Sequence, residues 1–373
     1  MSAQIEGFIA KGYEKVGEIF AENFDKGLEL GAGFCAQIEG ETIIDIRGGF
    51  TDRARTIKWQ ENTLVPVYST TKPISAIIIA RLQDMGLLHL DDPIGNLWPE
   101  FTLHGKNVSI AMAMSHQAGV PGFKDKIDPD LWLDPPNLAI ALAKLEPMWT
   151  PGTSAGYHPT TFGYIVGELA MRAEARSLGT HLRHDICAPF GIDFWIGLPD
   201  SEHGRCSQIE RPRELPNLGE ITEVKRAAFF TPWAAPNRSA ADWRRCEIPS
   251  ANGHGTAKAV ARLYGIFANN GKIGDKTIIS GDALESLAQT RIRGQDLVLP
   301  SYMHWAAGIM INNNLVYGPN PNTLGHSGWG GSCAFGDNSK RLSAAYVMNK
   351  QSSSLVGDKR AVNLINALYE CIS

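Results

Sequence analysis

Stretches that read as β-strands crowd into the two ends of this chain, and the sequence between them is of a different kind. Residues 32–50, AGFCAQIEGETIIDIRGGF, read as two strands joined around Glu39-Gly40. Towards the other end HWAAGIMI, SCAFG and LSAAYVM are strand-like, the last two joined around Asp337-Asn338-Ser339-Lys340. The simplest architecture that pairs them all is one antiparallel sheet built from both chain ends, with the intervening chain inserted as a helical unit. The expectation is an α+β fold with an α/β part from residues 1–75 and 250–373 and a mainly helical part from 76–249. A cleft between two such parts is a natural binding site.

Helical periodicity fills the remainder. Residues 3–27 carry Ile5, Phe8, Ile9, Val16, Ile19 and Phe20 at helical spacing, which predicts an opening helix. TTKPISAIIIARLQDMGLL predicts another from Thr70 to about Leu88. Its Pro73 is tolerable only in a first turn, so that helix must begin close to Ser69. The middle holds NLAIALAKL and TFGYIVGELAMRAE, with a long irregular connector from Pro212 to Arg238. TAKAVARLYGIFANNGK then reads as a helix with a glycine stop, and a closing helix begins near Arg360.

Bulk properties exclude several classes. With 373 residues, 43% of them hydrophobic, the chain can bury a sizeable core. Its net charge of -4, with acids and bases interspersed, offers no basic stripe for nucleic acid. The first twenty residues mix charge into their apolar positions, unlike a secretory signal, and no window reaches a membrane-spanning length, so a cytoplasmic protein without a membrane partner is expected. Six scattered cysteines, with no C-x-x-C pair and no Cys/His cluster, read as free thiols and predict no metal site.

Two serines compete as nucleophile. GHSGWGGS, at 325–332, looks like a nucleophile elbow around Ser327, but position 329 is Trp where the elbow needs Gly, and a strand hairpin follows instead of a helix. In VYSTTKPIS, Ser69 precedes Lys72 by three residues at a helix start, so one turn places both side chains on one face. A lysine can take a serine proton once burial lowers its pKa, and the helix N-terminus favours a developing oxyanion. Tyr157, delivered by the Pro/Gly loop PGTSAGYHP just before a helix, can move a proton between serine, lysine and leaving group.

Together Ser69-Thr70-Thr71-Lys72, Tyr157-His158-Pro159 and His326-Ser327-Gly328 with Trp329-Gly330-Gly331 resemble the three ordered motifs of the serine β-lactamase and penicillin-binding superfamily. Closest in kind are the family VIII carboxylesterases. The resemblance spans nearly the whole chain and implies a β-lactamase/DD-peptidase-like fold without metal or organic cofactor. It implies Ser69 as acylated nucleophile, Lys72 and Tyr157 sharing general-base and general-acid duty, and the backbone N–H groups of Ser69 and Trp329 as oxyanion hole. His326, Ser327, Gly328, Trp329 and Gly330 would line the substrate site.

The implied substrate is a small-molecule ester with a small to medium acyl group. The same apparatus also serves β-lactamases, D-amino-acid peptidases, other amide hydrolases and acyltransferases, and a non-catalytic scaffold is the rival from another class. The third motif carries His326 where β-lactamases carry lysine, and Pro159 stands where they carry asparagine, which argues against efficient lactam turnover. Arg291 and Arg293 are candidate carboxylate anchors, and His158 is not expected to be catalytic. Which of Lys72 and Tyr157 holds the proton at rest stays open.

Overall fold

The computed structural model describes residues 4–101, 108–230, 239–312 and 314–372. Its core is a nine-stranded sheet in which every pairing is antiparallel. The strands are β1 (Ile5–Ile9), β2 (Gly31–Ile38), β3 (Glu41–Gly49), β4 (Ile292–Gln295), β5 (Tyr302–Trp305), β6 (Met310–Ile311), β7 (Leu324–Ser327), β8 (Cys333–Asp337) and β9 (Leu342–Met348). Their spatial order is β1-β3-β2-β9-β8-β7-β6-β5-β4, so the two chain ends meet where β2 pairs with β9 in the register Phe34↔Tyr346.

Both faces of this sheet are covered, and side-chain alternation divides the core in two. Phe34, Ala36, Ala344 and Tyr346 pack with helices α1 (Glu14–Asp25) and α5 (Lys359–Ile372), through Val16, Phe20, Leu364 and Leu368. Cys35, Ala345 and Val347 point the other way, into a larger cluster with Val260, Leu263 and Tyr264 of α4 (Ala257–Ala268). That cluster runs on into the helical middle through α2 (Thr71–Asp84) and α3 (Thr161–Glu174). Eleven of the fourteen residues of α2 are buried, as an apolar surface all round the ISAIIIA run demands. A boundary drawn at residue 75 falls inside this helix.

The opening helix is shorter than its periodicity predicts. Residues 5–9 form edge strand β1 against β3, and the helix covers only 14–25. Two glycines explain the difference. Gly7 has φ 124° and lies so close to β3 that a Cβ there would sit 2.0 Å from Asp45 O, while Gly12 at φ 95° separates strand from helix. Likewise α2 stops at Asp84, followed by Gly86 at φ 73°, four residues before the predicted end. HWAAGIMI is two strands, because Gly308 at φ 76° turns the chain between β5 and β6. Within the connector from Pro212, residues 223–229 are helical, and residues 231–238 lie outside the described residues.

Candidate active site

Ser69 is placed by a strand-to-helix turn. Val65–Pro66 pairs with His254–Gly255, the Val67 N–H donates to Gly253 O at 2.8 Å, and the chain passes through a 3₁₀ turn at Tyr68–Thr70 into α2. Tyr68 holds φ 48°, a left-handed conformation that costs a residue with a Cβ about 1–3 kcal/mol and persists only where surrounding structure fixes it. Fixing is supplied by Tyr264, whose hydroxyl donates to Thr70 O at 2.8 Å, and by Gly253 N–H, which donates to Thr71 Oγ1 at 3.0 Å. Ser69 itself is only half-buried, at the mouth of the helix.

One turn on, Lys72 is fully buried. Its Nζ lies 3.1 Å from Ser69 Oγ, 2.7 Å from Pro159 O and 3.1 Å from Ser250 O. Burial, with no carboxylate to offset it, holds Lys72 well below the usual lysine range. A neutral amine has two N–H bonds and one lone pair. The two peptide oxygens can accept only N–H donors, so the lone pair is left for Ser69. The Ser250 carbonyl reaches Lys72 because position 163 in α3 is glycine: a Cβ there would stand 2.6 Å from both Ser250 N and Oγ.

Tyr157 approaches Ser69 from the other side, its hydroxyl donating to Oγ at 2.6 Å. Burial pushes the phenol above its ordinary value, and the nearby Asp296 charge pushes the same way. The ring stacks on Trp305 with centroids 5.6 Å apart and planes at 6°, and Lys72 Nζ sits 4.7 Å from its centroid. A protonated phenol beside a free amine is therefore the arrangement that burial favours. It gives Ser69 one donor and one acceptor.

The third motif meets this pair along β7. His326 is buried, with Nδ1 2.8 Å from Ser327 O and its ring 6.1 Å from that of Tyr157. Burial, the largest cause, pushes its pKa down to about 3, so the imidazole is neutral. Ser327 points elsewhere, because neighbouring residues of a strand face opposite sides. Its hydroxyl is 3.1 Å from that of Tyr317, and of the five residues expected to line the substrate site it is the one whose side chain is committed to the core behind the strand.

Gly328 packs on the nucleophile turn, where a Cβ would lie 2.3 Å from Val67 O and 2.1 Å from Ser332 Oγ. Ser332 donates to Val67 O at 2.7 Å and lies 3.1 Å from Thr70 Oγ1, so one hydroxyl ties the Gly328–Ser332 turn to the Ser69 turn. The Trp329 N–H makes no hydrogen bond among the described residues, and its indole meets Phe229 edge-on at 6.4 Å. Gly330, at φ 85°, is fixed through its carbonyl by buried Arg360 at 2.9 Å.

Other candidates are accounted for differently. His158 is spent on structure: its ring is 2.6 Å from Gly156 O and accepts Val120 N–H at 3.2 Å. Arg291 pairs with Asp91, and Arg293 is exposed on edge strand β4. Sequence reasoning missed Ser250, Ser332, Asp296 and Trp305, whose contributions come from distant segments. All six cysteines are free, no group of three or more His, Cys, Asp or Glu among the described residues could hold a metal ion, and no described helix is long and apolar enough to cross a membrane.

Comparison with known proteins agrees with this geometry. The sequence profile of the Beta-lactamase family matches residues 20–367. A penicillin-binding protein homolog from Caulobacter crescentus superposes with TM-score 0.96 at 48% identity, over 99% of this chain and 100% of that one. The crystal structure of a family VIII carboxylesterase superposes with TM-score 0.92 at 36% identity, again over 99% and 100%. The Esterase/beta-lactamase LipL of Mycobacterium tuberculosis is 30% identical over 90% of this chain and 81% of its own length. With its sheet, its ordered motifs and these relatives in agreement, the chain belongs to the beta-lactamase family and is a hydrolase built on that fold.

Proposed function

We propose that this chain is a carboxylesterase that cleaves esters with small to medium acyl groups through an acyl-Ser69 intermediate. The observation that carries the reading is the position of Ser69 Oγ, 2.6 Å from the Tyr157 hydroxyl and 3.1 Å from a Lys72 amine held below its usual pKa. In acylation Oγ attacks the ester carbonyl carbon while its proton passes to the Lys72 lone pair, and the carbonyl π pair moves onto oxygen. The N–H groups of Ser69 and Trp329 receive that oxyanion. Collapse expels the alkoxide, which takes the Tyr157 proton, and the proton on Lys72 returns to the phenolate.

Deacylation repeats the cycle with water. Lys72 takes its proton as the oxygen attacks the acyl carbon, Tyr157 protonates departing Ser69, and the acid is released with both groups restored. Neutral, buried His326 offers no countercharge to the carboxylate of a β-lactam, which favours simple esters. Similarity to a family VIII carboxylesterase and to LipL points the same way. Six free cysteines fit a reducing, cytoplasmic setting, which cell fractionation tests.

The deciding assay compares p-nitrophenyl acetate, butyrate and octanoate with a chromogenic cephalosporin, using wild type, Ser69→Ala and Ser327→Ala. Ester turnover lost in Ser69→Ala and kept in Ser327→Ala supports the proposal. Dominant cephalosporin turnover would replace it with an amide-hydrolase reading. Folded protein that turns over neither, and that a fluorophosphonate does not label at Ser69, would leave a scaffold.

A further inference from the structure

We propose that Asp296 is the positioning residue for Tyr157, its carboxylate locating both the loop that carries the phenol and the indole on which the phenol stacks. Asp296 follows β4 and is 4% exposed. Its Oδ1 accepts the N–H groups of Tyr157, Val298 and Leu299, each at 2.9 Å, and its Oδ2 accepts Trp305 Nε1–H at 3.1 Å. Two of these bonds shape the Asp296–Leu299 turn. The other two reach the site: one crosses 139 residues to the Tyr157 backbone, and one orients the ring lying parallel to that of Tyr157.

Every donor is an N–H, so neither carboxylate oxygen has an acceptor to which a carboxylic proton could be given. Burial raises this carboxyl above its ordinary value and the four donors act against that rise; with no acceptor among its partners, the hydrogen-bond geometry favours the anion. No Lys, Arg or His lies within ion-pair distance of it among the described residues. An uncompensated buried charge is expensive to retain for a turn alone, since neutral asparagine or serine caps turns as well. Placed beside Tyr157, that charge opposes phenolate formation and keeps the phenol as the proton donor facing Ser69. A second strut, Leu297 N–H to Ala155 O at 2.9 Å, clamps the same two loops.

This inference rests on Tyr157 acting as proton donor to the leaving group. The test measures kcat/KM against pH for wild type, Asp296→Asn and Asp296→Glu, with Tm on each, and repeats Asp296→Asn in a Tyr157→Phe background. Asp296→Asn keeps an acceptor for the three backbone N–H groups but loses the charge. Its kcat is expected to fall about 10-fold, with the alkaline limb displaced by roughly one unit to lower pH. Asp296→Glu keeps the charge but moves the acceptor, so kcat falls with KM and the alkaline limb unmoved. In Tyr157→Phe the Asn substitution is expected to change the residual rate by no more than roughly 2-fold.

An alkaline limb unchanged in Asp296→Asn, wild-type kcat in Asp296→Glu, or an equal rate loss with and without the Tyr157 hydroxyl would each overturn the proposal. Full activity in Tyr157→Phe would instead overturn the role assigned to Tyr157, a separate failure.

Discussion

Lys72 Nζ lies 2.7 Å from the carbonyl oxygen of Pro159, and what holds this lysine is peptide carbonyls and a hydroxyl, with no acid among them. Its environment rewards the neutral amine. Activity is therefore expected to rise with pH through a midpoint well below 10.5, where Lys72 loses its proton, and to fall again only above 10, where buried Tyr157 ionises. In Lys72→Arg the guanidinium keeps its proton, so kcat should drop by about 10²- to 10⁴-fold at every pH. A pH–rate profile of kcat/KM on a nitrophenyl ester checks both statements.

Gly163→Ala should behave against helix propensity. An exposed glycine replaced by alanine inside a helix is worth about 1 kcal/mol of stability. Here the added carbon would stand 2.6 Å from Ser250 N and Oγ. The expected result is a lower Tm and at least about a 10-fold loss of kcat, because the Ser250 carbonyl is displaced from Lys72. Thermal melts and steady-state kinetics on the one variant are enough, and a rise in Tm with full activity would refute it.

Gly328→Ala attacks the site from the other wall. Its Cβ would lie 2.3 Å from Val67 O, so the turn bearing the Trp329 N–H must move away from Ser69. Loss of one oxyanion donor typically costs about 10²- to 10³-fold in kcat, and that loss is expected here with KM little changed. Ser332→Ala removes the tie to Val67 without a clash and should produce a smaller loss of the same kind.

Acid should unfold this protein early. Burial holds His158, His254 and His326 to about 3, and His116 likewise well below an ordinary 6.5. Between those values the unfolded chain binds protons that the folded chain refuses, so the histidine contribution to stability is full above pH 6.5 and falls as pH drops towards 3. Midway, the four together give a slope of about 5 kcal/mol per pH unit. Urea titrations between pH 7 and 5 should show that fall, and His254→Gln should reduce the slope by about a quarter.

What could be read from sequence was what is local. Ser69 and Lys72 are one helical turn apart, and Pro73 fixed where that turn begins, so their pairing followed from spacing alone. Pro159 and Ser250 act on Lys72 through peptide oxygens, which every residue type possesses, and so leave no mark in a sequence. Asp296 joins Tyr157 across 139 residues, beyond any periodic pattern. Ser327 was within reach of a stricter reading: on a strand it cannot share a face with His326. Ile5, Phe8 and Ile9 suited a helix, and Gly7 between them was the sign of close backbone approach that decided for a strand.

The sheet that joins both ends of the chain also sets an order of events during synthesis. Ser69 and Lys72 leave the ribosome soon after β1, β2 and β3, whereas β7, the Gly328–Ser332 turn and Arg360, which fixes Gly330 O, are made about 250 residues later or more. Until then β2 has no β9 beside it, and the serine faces an unfinished wall. A nascent chain thus carries its nucleophilic hydroxyl before the groups that complete the cleft exist, and the cleft wall can close only once β7 and Arg360 have been made.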